Sequence, residues 1–454
     1  MITRIMSLLF ILASMSMVVH LKIPVLAGPV PSTLTLGFLL LSAYCVATIL
    51  ERIHLPLITG YILAGLFLGP YFLQYYDQSA IANLEFINSL ALAFIAFTAG
   101  GELRSGSLRK SLKSIGYLLS TATLIVFLGV TVTVFLLSPF IAFLAEETIA
   151  IRLAISSLFG VIAVARSPSS TIAIINETKA HGRFTEMVLG VTIATDVIII
   201  ICFAVVVSVS QLVVSPGAGF DVYFILFLFF EVVLAFVLGF LLGKAIVFLI
   251  DRVGVEFPIV IAAMGFFVIK FSHFLGGYLK TTHDISLNIE PLLICMAAGF
   301  TVQNFSDHGK AFLVRLNRLS MPIYVAFFAV TGASINVDVL KQSWLVGLVI
   351  VVVRILMLYF GSVVSGKLAK DPPKIYRNTW LAFITQAGVS LGLLAEVVRR
   401  FPEFGVSIQS VLVAAITLNQ IVGPILFKYA LYNVGEAHTS NLASLHKTKA
   451  RESV

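Results

Sequence analysis

Charge is what this sequence has least of. Of 454 residues, 30 are Lys or Arg and 22 are Asp or Glu, 11% in all, where an ordinary soluble domain carries roughly 25%. A surface so poor in charge cannot face water over most of its area, which excludes most soluble folds. Cysteine is scarce as well. Cys45, Cys202 and Cys295 each lie inside an apolar run, so neither a disulfide framework nor a CxxC-type metal site is available. The histidines fall in loops or near the ends of apolar runs, with no HExxH or paired spacing, which gives a transition-metal transporter no support. No GxxxxGKS or GxxxxGKT run is present, which argues against an ATP-driven pump. A net charge of +8 would suit nucleic acid only if the basic residues formed a solvated patch. They are instead dispersed in short segments between apolar runs, so no nucleic-acid partner is expected.

What the chain has in abundance is hydrophobic residues, 59% of the total. A helix needs about 20 apolar residues to cross a bilayer, and runs of that kind fall at 33–51, 55–72, 86–102, 114–144, 150–176 and 183–212. A long run follows at 222–250, then six more at 256–276, 288–303, 311–333, 343–367, 377–400 and 404–431. Residues 1–32 read either as a signal peptide, with Val25-Leu26-Ala27 before Gly28 as its cleavage site, or as an extra N-terminal helix. The fold class is therefore an all-α polytopic membrane protein with about 13 transmembrane helices, or 14. With the first span starting outside, 20 basic residues fall on the supposed cytoplasmic side and 6 on the other. The positive-inside rule then puts the C-terminus in the cytoplasm. Residues 432–454 form a short polar cytoplasmic tail, too short for a soluble nucleotide-binding or signalling domain.

An internal repeat is visible. AFTAGGEL from Ala96 in the third span corresponds to AFFAVTGA from Ala326 in the tenth. Seven spans separate them, an odd number, so the two halves have inverted topology. The fifth and twelfth spans, also seven apart, carry helix-interrupting sequence: ARSPSST around Pro168 and ITQAGVS around Gly388. Transporters place such interruptions at the bilayer midplane, where freed carbonyls and amides bind ions.

Ionisable residues deep in these runs cost at least about 2.5–3.5 kcal/mol each on insertion scales. Asp196, in TIATDVIII, is too short to snorkel and has no cation within helical contact on its own span. It reads either as one half of a fixed ion pair or as a carboxylate that alternately holds a proton and a metal cation such as Na⁺. Arg354, in VVVRILML, stays charged and reads as a fixed, charge-compensating group on a carbonyl or on Asp196. Arg166 precedes the first interruption and either bonds the carbonyls that Pro168 frees or acts at the ion site. Ser167, Ser169, Ser170 and Thr171 offer oxygen ligands to a hard cation, or merely satisfy a kinked helix. Thr195 adds a further hydroxyl beside Asp196. Glu186 lies ten residues before Asp196 and is either a solvated helix-end charge or part of a cytoplasmic funnel. Glu231, Lys270 and Glu396 sit nearer span ends and are expected to snorkel.

The broken span VARSPSSTIAIINE, the short basic loop after it and Thr195-Asp196 resemble the monovalent cation:proton antiporter superfamily, particularly its second, Na⁺/H⁺ exchanger-like branch. Arg354, TQAGVSLGLLAEV and LNQIVGPILF extend the resemblance over residues 33–431. It implies a homodimer of two-domain protomers. The dimer domain comprises 33–102 with 256–333, and the core transport domain 114–212 with 343–431, joined by a linker helix at 222–250. The resemblance also implies that the core moves like an elevator against the dimer domain. By the same resemblance, Asp196 matches the ion- and proton-binding carboxylate. Thr195 stands where the family carries Asp or Asn.

Together these readings describe a secondary antiporter of a plasma or bacterial inner membrane. It exchanges Na⁺, K⁺ or Li⁺ for H⁺, in electroneutral fashion because Thr195 removes a second acid. It makes no covalent bond, so it is not an enzyme, and it needs no cofactor. Its partners are monovalent cations, protons and the lipid bilayer. The competing readings are an anion carrier or symporter on the same scaffold, in which Arg166 and Arg354 bind the substrate, and a transport-inactive membrane sensor.

Overall fold

The computed structural model describes residues 2–20, 32–53, 55–75, 78–214, 222–250, 252, 257–283, 289–386 and 389–437. Within these, the chain is helical. The elements are α1 (Ile2–His20), α2 (Ser32–Leu50), α3 (Leu57–Leu68), α4 (Gln78–Ala82), α5 (Glu85–Glu102), α6 (Ser105–Tyr117), α7 (Thr123–Leu137), α8 (Ile149–Ala163) and α9 (Pro168–Thr178). They continue with α10 (Arg183–Val214), α11 (Val222–Ile250), α12 (Phe257–His283), α13 (Pro291–Asn304), α14 (Gly309–Ala333), α15 (Val337–Ala369), α16 (Pro373–Ala382), α17 (Val389–Arg400) and α18 (Gly405–Val434). Ten helical stretches among the described residues are long and apolar enough to cross a membrane. The proposed cleavage site and residues 438–454 of the tail lie outside the described residues.

Each of the thirteen apolar runs is helical over most of its length, and the differences have local causes. The fourth begins earlier than its apolar residues, because α6 is an amphipathic helix that buries Ser111, Ser114 and Ile115 while Leu112 and Lys113 face out. A π turn at Leu118–Ala122 carries this helix on into α7. α7 ends at Leu137 and a single 3-10 turn, Ser138–Phe140, follows before the chain turns extended at Ile141, short of residue 144, since Pro139 supplies no N–H to continue the α-helical ladder.

Packing divides the helices into two groups. In the first, α2, α3, α5, α12, α13 and α14 pack on one another and α11 lies along α13. In the second, α6 to α10 pack with α15 to α18. Between the groups run the contacts of α9 with α5 and α3, of α18 with α3 and of α10 with α11. Small residues bring the first group together. A Cβ on Gly100 of α5 would stand 1.9 Å from the carbonyl oxygen of Met296 in α13, and one on Gly65 of α3 would stand 2.0 Å from that of Ala329 in α14. Only glycine permits backbones this close. The pairs α5 with α13 and α3 with α14 would correspond to each other under the repeat expected from the sequence.

Candidate functional site: a buried carboxylate at the junction of two interrupted helices

Pro168 determines where the fifth span breaks. It has no N–H to continue α8 and pushes the preceding residue into extended backbone, so Ser167 sits at φ −109°, ψ 102°. Ser167 Oγ then accepts from the N–H of Ser170 at 3.3 Å, capping α9. In the twelfth span, α16 ends at Ala382 and Phe383 to Gln386 are non-helical before α17 starts at Val389. Gly388, around which the sequence places this break, lies outside the described residues.

The two interruptions meet. Ser167 N–H donates to the carbonyl of Thr385 at 3.0 Å. Gln386 Nε2 donates to the carbonyl of Ile162 at 3.1 Å, and Asn419 Nδ2 of α18 donates to Gln386 Oε1 at 2.8 Å. Arg354 of α15 completes the junction. Its Nε donates to the carbonyl of Ala163 (2.6 Å), Nη1 to that of Ile384 (2.6 Å), and Nη2 to those of Ala165 (2.9 Å) and Phe383 (3.0 Å). The guanidinium thus satisfies two carbonyls from each broken span, at the negative ends of α8 and α16.

The opposite, positive ends converge on Asp196. A cavity of about 40 Å³ is lined by Ser167, Pro168 and Ser169 at the start of α9, Val389 at the start of α17, and Asp196. Its other wall comes from the first packing group, through Leu92 and Ala96 of α5 and Leu292 and Met296 of α13. Asp196 is 8% exposed, and its Oδ1 has no hydrogen-bond partner. Two helix N-termini favour a negative charge here, while the cavity's walls offer hydroxyl and carboxylate oxygens suited to a small hard cation or a proton.

Larger cavities lie on either side. One of about 520 Å³ shares Val389 with the Asp196 cavity and is lined by Glu231, Ser272, His273, Glu290 and Glu396. Another, of about 170 Å³, is lined by Glu102, Arg104, His181, Thr185 and Glu186. Glu186 is therefore half-buried on a cavity wall rather than free in solvent.

The structure brings Asp196, Ser167 and Ser169 to one cavity. Ser170 stands behind them, accepting from Ser167 Oγ at 3.1 Å. Thr195 is fully buried; its hydroxyl donates to the carbonyl of Val191 (2.7 Å) and accepts from Arg166 Nη1 (3.0 Å). The carbonyls at the break are met by Arg354, not by Arg166, whose guanidinium lies 3.9 Å from the centroid of the Phe383 ring. Glu231 does not snorkel: it is 4% exposed and faces the larger cavity. Glu396 pairs with Arg399 and Arg400 at 2.7 and 2.5 Å. Sequence reasoning missed Glu290, which precedes α13 and is a charged neighbour of Asp196 together with Arg166. It also missed Phe383 and Gln386. Gln386 stands in the interrupted ITQAGVS motif, the one signal that could have found it.

Two solved structures of MjNhaP1, a sodium proton antiporter from Methanocaldococcus jannaschii, share this fold. The structure at pH 8 matches with a TM-score of 0.61 at 18% identity, over 89% of this chain and 95% of that one. An electron-microscopy structure matches with a TM-score of 0.69 at 18% identity, over 89% and 98%. No curated protein sequence matches the chain. The profile of the transmembrane sodium/hydrogen exchangers matches residues 38–431, which takes in both interrupted helices and Asp196, and the chain belongs to the sodium/hydrogen exchanger family.

Proposed function

We propose that the protein exchanges Na⁺, K⁺ or Li⁺ for H⁺, with Asp196 holding the cation and the proton in alternation. The observation that carries this reading is the unpartnered Oδ1 of Asp196 in a small cavity where two half-helix N-termini converge. A carboxylate in a permanent ion pair would not be left this way, since a buried charge without partners costs several kcal/mol (about 3–5 on breaking a pair). Cation/proton antiport is the coarse activity of the family to which the chain belongs.

The packing groups support a division into a dimer domain, residues 33–102 with 256–333, and a core domain, residues 114–212 with 343–431, with 222–250 as linker. The Asp196 cavity has one wall from each, so sliding of the core would expose Asp196 first to one flanking cavity and then to the other. This is an elevator form of alternating access. Exchange is electroneutral and the protein a homodimer of a plasma or bacterial inner membrane, with its C-terminus in the cytoplasm. An anion carrier would need free donors on Arg354, and four of them are already engaged by carbonyls. The test is pH-sensitive fluorescence in proteoliposomes on adding NaCl, KCl or LiCl in turn: at least one must move protons, and silence with all three refutes the reading.

A further inference from the structure

Arg166 and Asp196 are both buried and of opposite charge, yet they form no ion pair among the described residues. Arg166 Nη1 donates instead to Thr195 Oγ1 at 3.0 Å, and the guanidinium stacks on Phe383. Its Nε has no partner, and neither has Asp196 Oδ1. Two desolvated opposite charges would gain by meeting, so their separation needs a restraint. Thr195 supplies one: its own hydrogen goes to the carbonyl of Val191, which leaves an oxygen lone pair facing Arg166. Phe383 supplies the other, and it is fixed in turn because its carbonyl accepts from Arg354. Thr195 and Asp196 are consecutive on α10 and point about 100° apart around the helix. The guanidinium is therefore kept on one side of α10 while the carboxylate faces the cavity on another.

We propose that Thr195 and Phe383 hold Arg166 off Asp196, making Arg166 a tethered competitor for the transported cation and Thr195 a positioning residue, not a cation ligand. The inference rests on the reading of Asp196 as the cation site. Released from Thr195, the guanidinium swings onto the carboxylate and must be displaced by each incoming ion, so the firmness of this hold sets the apparent cation affinity. The other charged groups near Asp196 leave that logic intact: Arg354 is committed to four carbonyls, and Glu290 is an acid that attracts cations.

The experiment measures the NaCl dependence of exchange in proteoliposomes at fixed pH. Thr195→Val, nearly the same shape, should raise the Na⁺ KM about tenfold, the scale of a hydrogen bond to a charged group. Thr195→Ser should restore the wild-type value, Arg166→Gln should lower KM, and the double variant should behave as Arg166→Gln. Thermal stabilisation of the purified variants by NaCl, against choline chloride, reads the same order without transport. An unchanged KM in Thr195→Val overturns the proposal. So does an equal rise in the Arg166→Gln background, which would make Thr195 a direct ligand. If Arg166→Gln does not fold, Phe383→Leu takes its place and must raise KM as Thr195→Val does; no rise overturns the proposal. A wild-type protein that exchanges none of the three cations would instead defeat the antiporter reading itself.

Discussion

The main-chain N–H of Ser167 donates to the carbonyl of Thr385 at 3.0 Å, tying the fifth and twelfth spans together at their interruptions. Because Arg354 bonds carbonyls on both sides of this tie, the junction is held as one unit, and Asp196 faces a cavity whose polar wall that unit supplies.

Arg354→Ala is expected to destabilise the protein by several kcal/mol, since each orphaned buried carbonyl costs about 1–3 kcal/mol. Arg354→Lys, with three donors rather than five, should fall between it and wild type. Thermal unfolding in detergent, followed by the loss of the monodisperse peak, measures both. A wild-type midpoint in Arg354→Ala would mean that the junction does not depend on this residue.

Asn176 Nδ2 of α9 donates to the Tyr324 hydroxyl of α14 at 3.0 Å. Glu177 likewise joins the second packing group to the first by accepting from the N–H of Leu57 of α3 at 3.0 Å, while Lys428 Nζ of α18, in its own group, donates to it at 2.8 Å. If α9 slides past α14 in every cycle, linking the two helices must stop exchange. With Cys45, Cys202 and Cys295 replaced, Asn176→Cys/Tyr324→Cys should lose transport on addition of Hg²⁺ and regain it with a thiol reductant. Continued exchange in the cross-linked protein would exclude this sliding motion.

Much of the fold was legible because lipid imposes a simple code. Runs of about 20 apolar residues and the dispersal of the charges located every long helix, and Pro168 marked the first interruption to within a residue. The end at Leu137 was misjudged because the apolar run continues past Pro139, where backbone geometry outweighs hydropathy. At the site, Asp196 stood out as a carboxylate without a local partner. A carbonyl was one of the two partners read for Arg354, but which carbonyls it meets, and the partners of Arg166, were not legible. They are carbonyls, the Thr195 hydroxyl and the Phe383 ring, brought together from different spans, and no spacing on one helix encodes them. Glu290 escaped notice for the same reason: it precedes a short helix of the other packing group and nears Asp196 only in the folded chain.

Protons and cations that share one carboxylate must compete for it. The apparent Na⁺ affinity should therefore fall as pH is lowered through the range in which Asp196 takes up its proton, while the maximal rate at saturating Na⁺ changes less. A Na⁺ KM that stays flat across several pH units would point to separate sites.

The proposed electroneutral exchange, with Thr195 in place of a second acid and Arg354 engaged by carbonyls, requires that one proton be exchanged for one cation. A membrane potential supplies about 2.3 kcal/mol per 100 mV for each net charge moved, and with no net charge it drives nothing. In proteoliposomes with equal Na⁺, K⁺ and H⁺ concentrations on both sides, an inside-negative potential set by an inward gradient of the permeant anion thiocyanate against an impermeant anion should cause no Na⁺ accumulation. Accumulation would reveal a second coupled charge, with Glu290 and Glu186 the first residues to examine.

The most direct test compares Na⁺-driven proton movement in proteoliposomes containing wild-type protein and Asp196→Asn at equal density. Replacing a buried carboxylate by its amide removes a charge that is costly to desolvate, so the variant should fold with an unfolding midpoint at or above that of wild type. It should nevertheless move no protons when NaCl, KCl or LiCl is added, whereas the wild type responds to at least one of them. Exchange by folded Asp196→Asn at the wild-type rate would contradict the assignment of Asp196 as the shared site.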